Sequence, residues 1–211
     1  MSNYIQKLIL QGEHQKQDFK FQVNDSRKIA KSISAFANTH GGKLLIGVKD
    51  NGNIAGVRSD EEFFMIEAAS EMYCKPRIDF AHRTWNVEGK TILEIDIPSI
   101  DNKPCYALSE NEKWLAYIRY KDQNILANII QLKFWRRMNR EAGTFIRYSD
   151  KERILLDFLN HNAFINLKTY CKIASIPKYL AENLIVNLMI TGIIEMVQNE
   201  KNTWFRLKDP T

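Results

Sequence analysis

The sequence predicts an α+β fold in two domains: a larger first domain with a mixed or mostly antiparallel sheet, and a small helical domain ended by a hairpin. Three observations predict it. Short apolar–polar alternations outnumber helical stripes up to about residue 120, and they come in pairs around polar turns. After residue 150 the pattern changes to three helical stripes and one hairpin. Between them lies Glu141–Ser149, with no apolar period of its own. The expected organisation is therefore a first domain over 1–140, a linker over 141–149 and a second domain over 150–211.

The elements follow in order. Tyr4–Leu10 reads as a short helix ended by Gly12. Asp18–Val23 reads as a strand, with Phe19, Phe21 and Val23 on one side. Asp25 or Ser26 caps a helix whose apolar face is Ile29, Ala30, Ile33, Phe36 and Ala37. Gly41-Gly42 stops it, since glycine accepts the left-handed conformation helix ends need. Lys43–Lys49 is a buried strand, Asp50-Asn51-Gly52 a hairpin turn, and Asn53–Val57 the return. Ser59 and Glu62 have the spacing of a capping box for a helix through Cys74. Strands are expected at Ile78–Val87 and Thr91–Ile97, the latter half-exposed with Glu94 and Asp96 outward. A hairpin follows at Lys103–Leu108 and Trp114–Tyr120, then a helix over 124–140.

In the second domain Asp150 starts a helix with Ile154, Leu155, Phe158 and Leu159 inward. Asn166 caps a short one, and Ser175 with Pro177 opens a longer one carrying Leu180, Leu184, Ile185 and Leu188. Ile193–Val197 and Thr203–Leu207 form the closing hairpin. Three helices and a hairpin is the order of a winged helix-turn-helix domain.

The chain has 211 residues, 45% hydrophobic and 26% charged, an ordinary globular composition. A net charge of +5 mildly favours anionic partners. Seven basic residues against three acidic ones lie between Lys133 and Arg153, a local excess of +4. Cys74, Cys105 and Cys171 lack the paired spacing of a zinc site or disulfide framework and suit a cytoplasmic protein. No apolar run reaches membrane-spanning length, and Leu8-Ile9-Leu10 is too short for a signal peptide.

Gly12-Glu13, Asp18-Phe19-Lys20, Ala35-Phe36-Ala37-Asn38-Thr39, Gly41-Gly42 with Leu44–Asp50, and Gly52–Gly56 occur in an order that resembles the Schlafen AlbA-like domain. Lys103-Pro104-Cys105-Tyr106 and Tyr117-Ile118-Arg119 resemble later blocks, so the resemblance spans about residues 5–140. It implies nucleic-acid binding and, in some family members, RNA cleavage. The acidic residues of the cleaving members map onto Glu13, Asp18 and Asp50, with Asp18 one methylene shorter than the family's glutamate. Such a triad would hold Mg²⁺ or Mn²⁺ through oxygen and activate a water or a 2′-hydroxyl. The same residues also suit plain roles as solvated charges and a turn residue. Binding alone requires no cofactor. Gly41-Gly42-Lys43 leads into a strand and lacks the phosphate-cradling pattern, so no ATPase is expected.

The nucleic-acid contacts expected are Lys20 beside the acidic residues and Lys133, Arg136, Arg137 and Arg140 on the basic helix. Lys178, Tyr179, Asn183 and Asn187 lie on the exposed side of the longest C-terminal helix, and Lys201 in its hairpin. Trp135 suits either base stacking or the core. The leading reading is a DNA-binding transcriptional regulator, with RNA as the other nucleic-acid partner. The alternative is a metal-dependent endoribonuclease. A homodimer fits operator recognition by winged helices.

Overall fold

The computed structural model describes residues 2–139 and 148–208, with side chains from Tyr4 onward. Most of the expected linker, residues 141–147, lies outside the described residues. The chain divides into two compact units, Met1–Ala127 and Asn128–Thr211. The break precedes the basic helix instead of following it.

The first unit contains α1 (Ser2–Leu10), β1 (Gln17–Lys20), α2 (Ser26–Ala37), β2 (Gly42–Ile46), α3 (Glu61–Tyr73), β3 (Cys74–Lys75), β4 (Ala81–Val87), β5 (Lys90–Ile97), β6 (Tyr106–Leu108), β7 (Trp114–Tyr120) and β8 (Gln123–Leu126). One mixed sheet has the order β1-β2-β5-β4, with β1 parallel to β2 and the other pairs antiparallel. A second, antiparallel sheet has the order β3-β6-β7-β8. The mixed α+β class is as expected.

α2 is the keystone. Asp25 caps it by accepting from Arg27 N–H. Ile29, Ile33, Phe36 and Ala37 pack with Leu44, Ile46, Ile95 and Ile97 of the first sheet and with Cys105 and Ala107 of the second. Each large side chain buried there contributes about 1.5–3 kcal/mol. Being covered on two sides, α2 buries even Ser32 and Ser34. Ser34 Oγ donates to Cys105 C=O (2.8 Å) and accepts from Tyr117 N–H (3.1 Å). Asn38 donates to the carbonyls of Cys105 and Tyr117 (2.8 and 2.9 Å) and accepts from Cys105 N–H (2.7 Å). On the opposite side of the first sheet, Ile5 of α1 packs with Phe19, Leu45, Val48 and Ile92.

The glycine run is structural. Gly41 sits at φ +69°, where a Cβ would meet Ile97 C=O at 2.7 Å; a Cβ on Gly42 would stand 2.4 Å from the Phe36 ring.

Four expectations need correction. β1 ends at Lys20, and Phe21 points outward with Lys49 and Arg58 over its ring. The Ser59–Glu62 capping box does not form. Glu62 is buried and accepts from Val23 N–H (2.7 Å) and Arg58 N–H (2.9 Å), a long-range cap that local spacing cannot reveal. Glu94 is 1% exposed, not outward, because Lys43 (2.8 Å), Trp85 (2.7 Å) and Tyr4 (3.0 Å) bond it. The expected helix over 124–140 is two elements, β8 and then a helix capped by Asn128, which accepts from Gln131 N–H.

The second unit holds that helix, α4 (Ile129–Met138), then α5 (Asp150–His161), α6 (Leu167–Ile173), α7 (Lys178–Ile190), β9 (Ile194–Gln198) and β10 (Thr203–Leu207). Ser149 and Glu152 form a capping box on α5. Its core gathers Leu155, Leu159, Tyr170, Ile185, Leu188 and Phe205, with Ile130 and Phe134 of α4. β9 and β10 pair antiparallel. Among the described residues no helix is long and apolar enough to cross a membrane.

Candidate functional site

Two features of the first unit combine charge with shape: a buried ion network on β1, and a basic groove beside it.

The network centres on Asp18, 3% exposed. Its carboxylate meets Lys20 Nζ (2.7 Å) and Arg119 Nη2 (3.3 Å), and Ser32 Oγ donates to it (3.4 Å). Arg119 is also 3% exposed. It lies over the Phe36 ring and donates to Asn124 Oδ1 (2.9 Å) and Gln17 C=O (3.0 Å). Asn124 in turn donates to Ser32 Oγ (2.9 Å). Burial opposes the Asp18 charge, but Lys20, the bond from Glu13 and Arg119 outweigh it and hold its carboxyl below the ordinary range. Glu13 behaves oppositely. Burial and its hydrogen bond to Asp18 push it up to about 7, although Phe19 N–H donates to it (2.9 Å). Glu13 therefore takes up a proton more readily than an ordinary glutamate, beside a carboxyl that keeps its charge.

The expected triad is only partly assembled. Asp50 is exposed, at the start of the turn in which Gly52 N–H bonds Lys49 C=O. Among the described residues no three His, Cys, Asp or Glu are placed to hold a metal ion. Glu13 and Asp18 meet; Asp50 does not join them.

The groove has a volume of about 980 Å³. One wall is α2, presenting Arg27, Lys28, Lys31 and Ser32; the other is the second sheet with Leu108, Leu115, Tyr117 and Asn124. Lys20 and Lys113 also line it, and the acid among the lining residues is Glu110. Arg27 is engaged by Glu112 (2.7 Å) and Lys20 by Asp18. Lys28, Lys31 and Lys113 have no ion-pair partner among the described residues, and Lys31 Nζ rests over the Tyr117 ring at 5.2 Å. The signal for this wall was present in the sequence. Arg27, Lys28 and Lys31 occupy the turn-spaced face opposite the apolar stripe of α2.

The second unit treats its cations differently. Lys133 of α4 bonds Glu182 (2.6 Å) and Asn183 (3.4 Å) of α7, and Arg137 bonds Asn183 (3.4 Å) and Asn187. Trp135 is buried. From Ala181 to Ile190 no α7 residue is exposed. The face expected to read bases is therefore covered by α4, and Lys133, Arg137, Asn183 and Asn187 satisfy one another. Arg136, Lys178, Tyr179 (66% exposed) and Lys201 remain at the surface. Arg140 lies outside the described residues.

A family model described as Schlafen, AlbA_2 matches residues 13–128, more than half of the chain. No curated protein matches it. Among solved structures, the DIP2311 protein from Corynebacterium diphtheriae is similar over 62% of this chain at 19% identity and TM-score 0.45. This chain spans only 25% of that protein. The N-terminal domain of a RecG-related protein from Nitrosomonas europaea is similar over 70% of this chain and 96% of its own, at 18% identity and TM-score 0.43.

Proposed function

The chain belongs to the Schlafen AlbA_2 family, and we propose that it binds nucleic acid through the groove between α2 and the β6–β7–β8 sheet. One observation carries this reading: Lys28, Lys31 and Lys113 line a concave surface and none of them is ion-paired among the described residues. Ammonium groups left unpaired in a groove favour a repeated anion, and the phosphodiester backbone supplies one.

The order of α5, α6, α7 and the β9–β10 hairpin supports reading the second unit as a winged helix, the domain expected of a DNA-binding transcriptional regulator. A regulator that reads operator bases needs an open recognition helix. With α7 covered by α4, the contacts left for that role are Lys178, Tyr179 and Lys201. The groove is the stronger surface. A metal-dependent endoribonuclease would need Glu13, Asp18 and Asp50 together around Mg²⁺ or Mn²⁺. Asp18 is already held by Lys20 and Arg119, and Asp50 stands apart, so this donor set does not fit a hard divalent ion.

Fluorescence anisotropy with labelled oligonucleotides tests the groove. The double charge reversal K28E/K31E is expected to abolish most binding while leaving the melting temperature nearly unchanged, since both side chains are exposed. Undiminished binding by that variant would refute the proposal.

A further inference from the structure

We infer that the polynucleotide in this groove is a single strand, held by its phosphates on the α2 side and by its unpaired base faces on the sheet side. The inference rests on the binding role proposed above and names the class of ligand.

The two walls differ in kind. The α2 wall carries the exposed ammonium groups of Lys28 and Lys31, with Lys113 from the start of the opposing hairpin strand. The sheet wall carries an apolar strip of Leu108, Leu115 and Tyr117, all half-buried, bordered by polar side chains that include Glu110, Asn111 and Gln123. An amphipathic groove of this kind matches a ligand that is anionic along one edge and apolar along the other. A single strand has that form, because its phosphates run along one edge and its bases offer exposed faces. A duplex does not. Its base faces are stacked inside and phosphates cover its outside, so the apolar wall would meet only charge. Reading a duplex also requires a protruding helix or ribbon to enter its groove, and this surface is concave.

Two of the groove's polar side chains are committed within the chain, whereas the exposed amides of Asn111 and Gln123 also line it. Arg27 is committed to Glu112 and Asn124 to Ser32 and Arg119. The unpaired cations are ammonium groups, which bind phosphate as point charges and carry little base information, while Asn111 and Gln123 are the side chains able to bias binding toward particular bases. The lysine share of the affinity should therefore be independent of sequence. Three unpaired lysines give a slope of log K against log salt of about −2 for a single strand, at roughly −0.7 per contact.

The test measures anisotropy of labelled 12-residue single-stranded DNA, single-stranded RNA and the matching DNA duplex over a salt series. The wild-type chain is compared with K28E/K31E and with Leu115→Asn. Either single strand is expected to bind about tenfold or more tightly than the duplex, with a slope near −2 that flattens in K28E/K31E. Leu115→Asn should weaken single-strand binding several-fold at an unchanged slope, because it removes apolar wall and no charge; its fold is checked by thermal melting. A duplex bound as tightly as the single strands, and still lost in K28E/K31E, overturns the single-strand inference and leaves groove binding standing. Unchanged affinity in a folded Leu115→Asn overturns the role of the apolar wall. Binding that ignores K28E/K31E, or none at all, overturns the groove function itself.

Discussion

The groove on α2 and the α4–α7 pair are both rich in Lys and Arg, yet they present opposite surfaces. Lys28, Lys31 and Lys113 make no side-chain ion pair or hydrogen bond among the described residues. Lys133 and Arg137 are consumed by Glu182, Asn183 and Asn187. Charge density along the sequence favours the second region, because Lys133–Arg153 holds most of the basic excess. Once folded, the first region is the better anion site. A cation binds a partner only with the part of its field that its own chain leaves unneutralised. That depends on which acceptors the fold brings near, not on how many cations lie in a row.

The largest test of this distinction removes an internal acceptor. Asp18→Ala leaves Arg119 buried without its counter-charge. A buried pair broken from one side costs about 3–5 kcal/mol, so urea denaturation should show a loss of that size. Combined with Glu13→Gln, so that no second carboxylate ionises in its place, the same substitution removes the charges that hold Lys20, which lines the groove and is otherwise held at 2.7 Å by Asp18. If internal pairing is what withholds a cation, the folded double variant should show a salt slope steeper by roughly 0.7 for a single strand. Stability near that of the wild-type chain would mean the Asp18–Arg119 pair contributes nothing.

A smaller effect is expected on the other side of the comparison. Lys133→Met leaves the 6% exposed Glu182 with Lys178, at 3.9 Å, as its remaining cation among the described residues. The expected cost is about 2 kcal/mol, that of a buried charged acceptor losing its donor. Nucleic-acid affinity should stay within about twofold, since Lys133 already has its partners. A large loss of affinity at unchanged stability would erase the contrast and make α4 a binding surface.

Much of the fold was legible because it rests on local patterns. The apolar stripe of α2, the Asp50-Asn51-Gly52 turn and the caps at Asp25 and Asn166 all appear where short-range chemistry puts them. Where long-range pairing decided the outcome, the sequence misled. Glu62 has capping-box spacing but bonds Val23, 39 residues away. Glu94 alternates like a surface residue but is held by Lys43, Trp85 and Tyr4. β8 is a different miss, a local one: it pairs with β7 across the two-residue turn at Lys121-Asp122, a tight hairpin that the expected helix concealed. The acidic residues show the same division. Glu13 and Asp18 are five residues apart around one turn and meet; Asp50 would have to be carried to them by the fold, and it is not. The groove was overlooked because its two walls come from α2 and from strands some 80 residues later. Asn38, part of the recognised motif, acts in this unit by stitching α2 to β6 and β7.

The smallest expected effect concerns the proton that Glu13 takes up beside Asp18. The folded chain raises Glu13 from its ordinary 4.5 to about 7, so it binds that proton more tightly than the unfolded chain does. The associated stability is fully present below 4.5 and is lost as pH rises through about 7. Asp18 is held below its ordinary 3.8, so its contribution is present above 3.8 and is lost as pH falls through its lower folded value. Between about pH 5 and 7, then, it is Glu13 of this pair that makes stability fall with rising pH. Glu13→Gln tests this, because the amide carries a permanent donor for Asp18 and keeps an oxygen for Phe19 N–H. Thermal melts across the range should show the wild-type chain weakening from about pH 5 to 8, and Glu13→Gln staying flatter in that window. Below about pH 4 both should weaken together as Asp18 takes up its proton and releases Lys20 and Arg119. Parallel curves throughout would show that Glu13 holds no such proton. They would also place the pH sensitivity of this unit elsewhere than the carboxyl pair beside the groove.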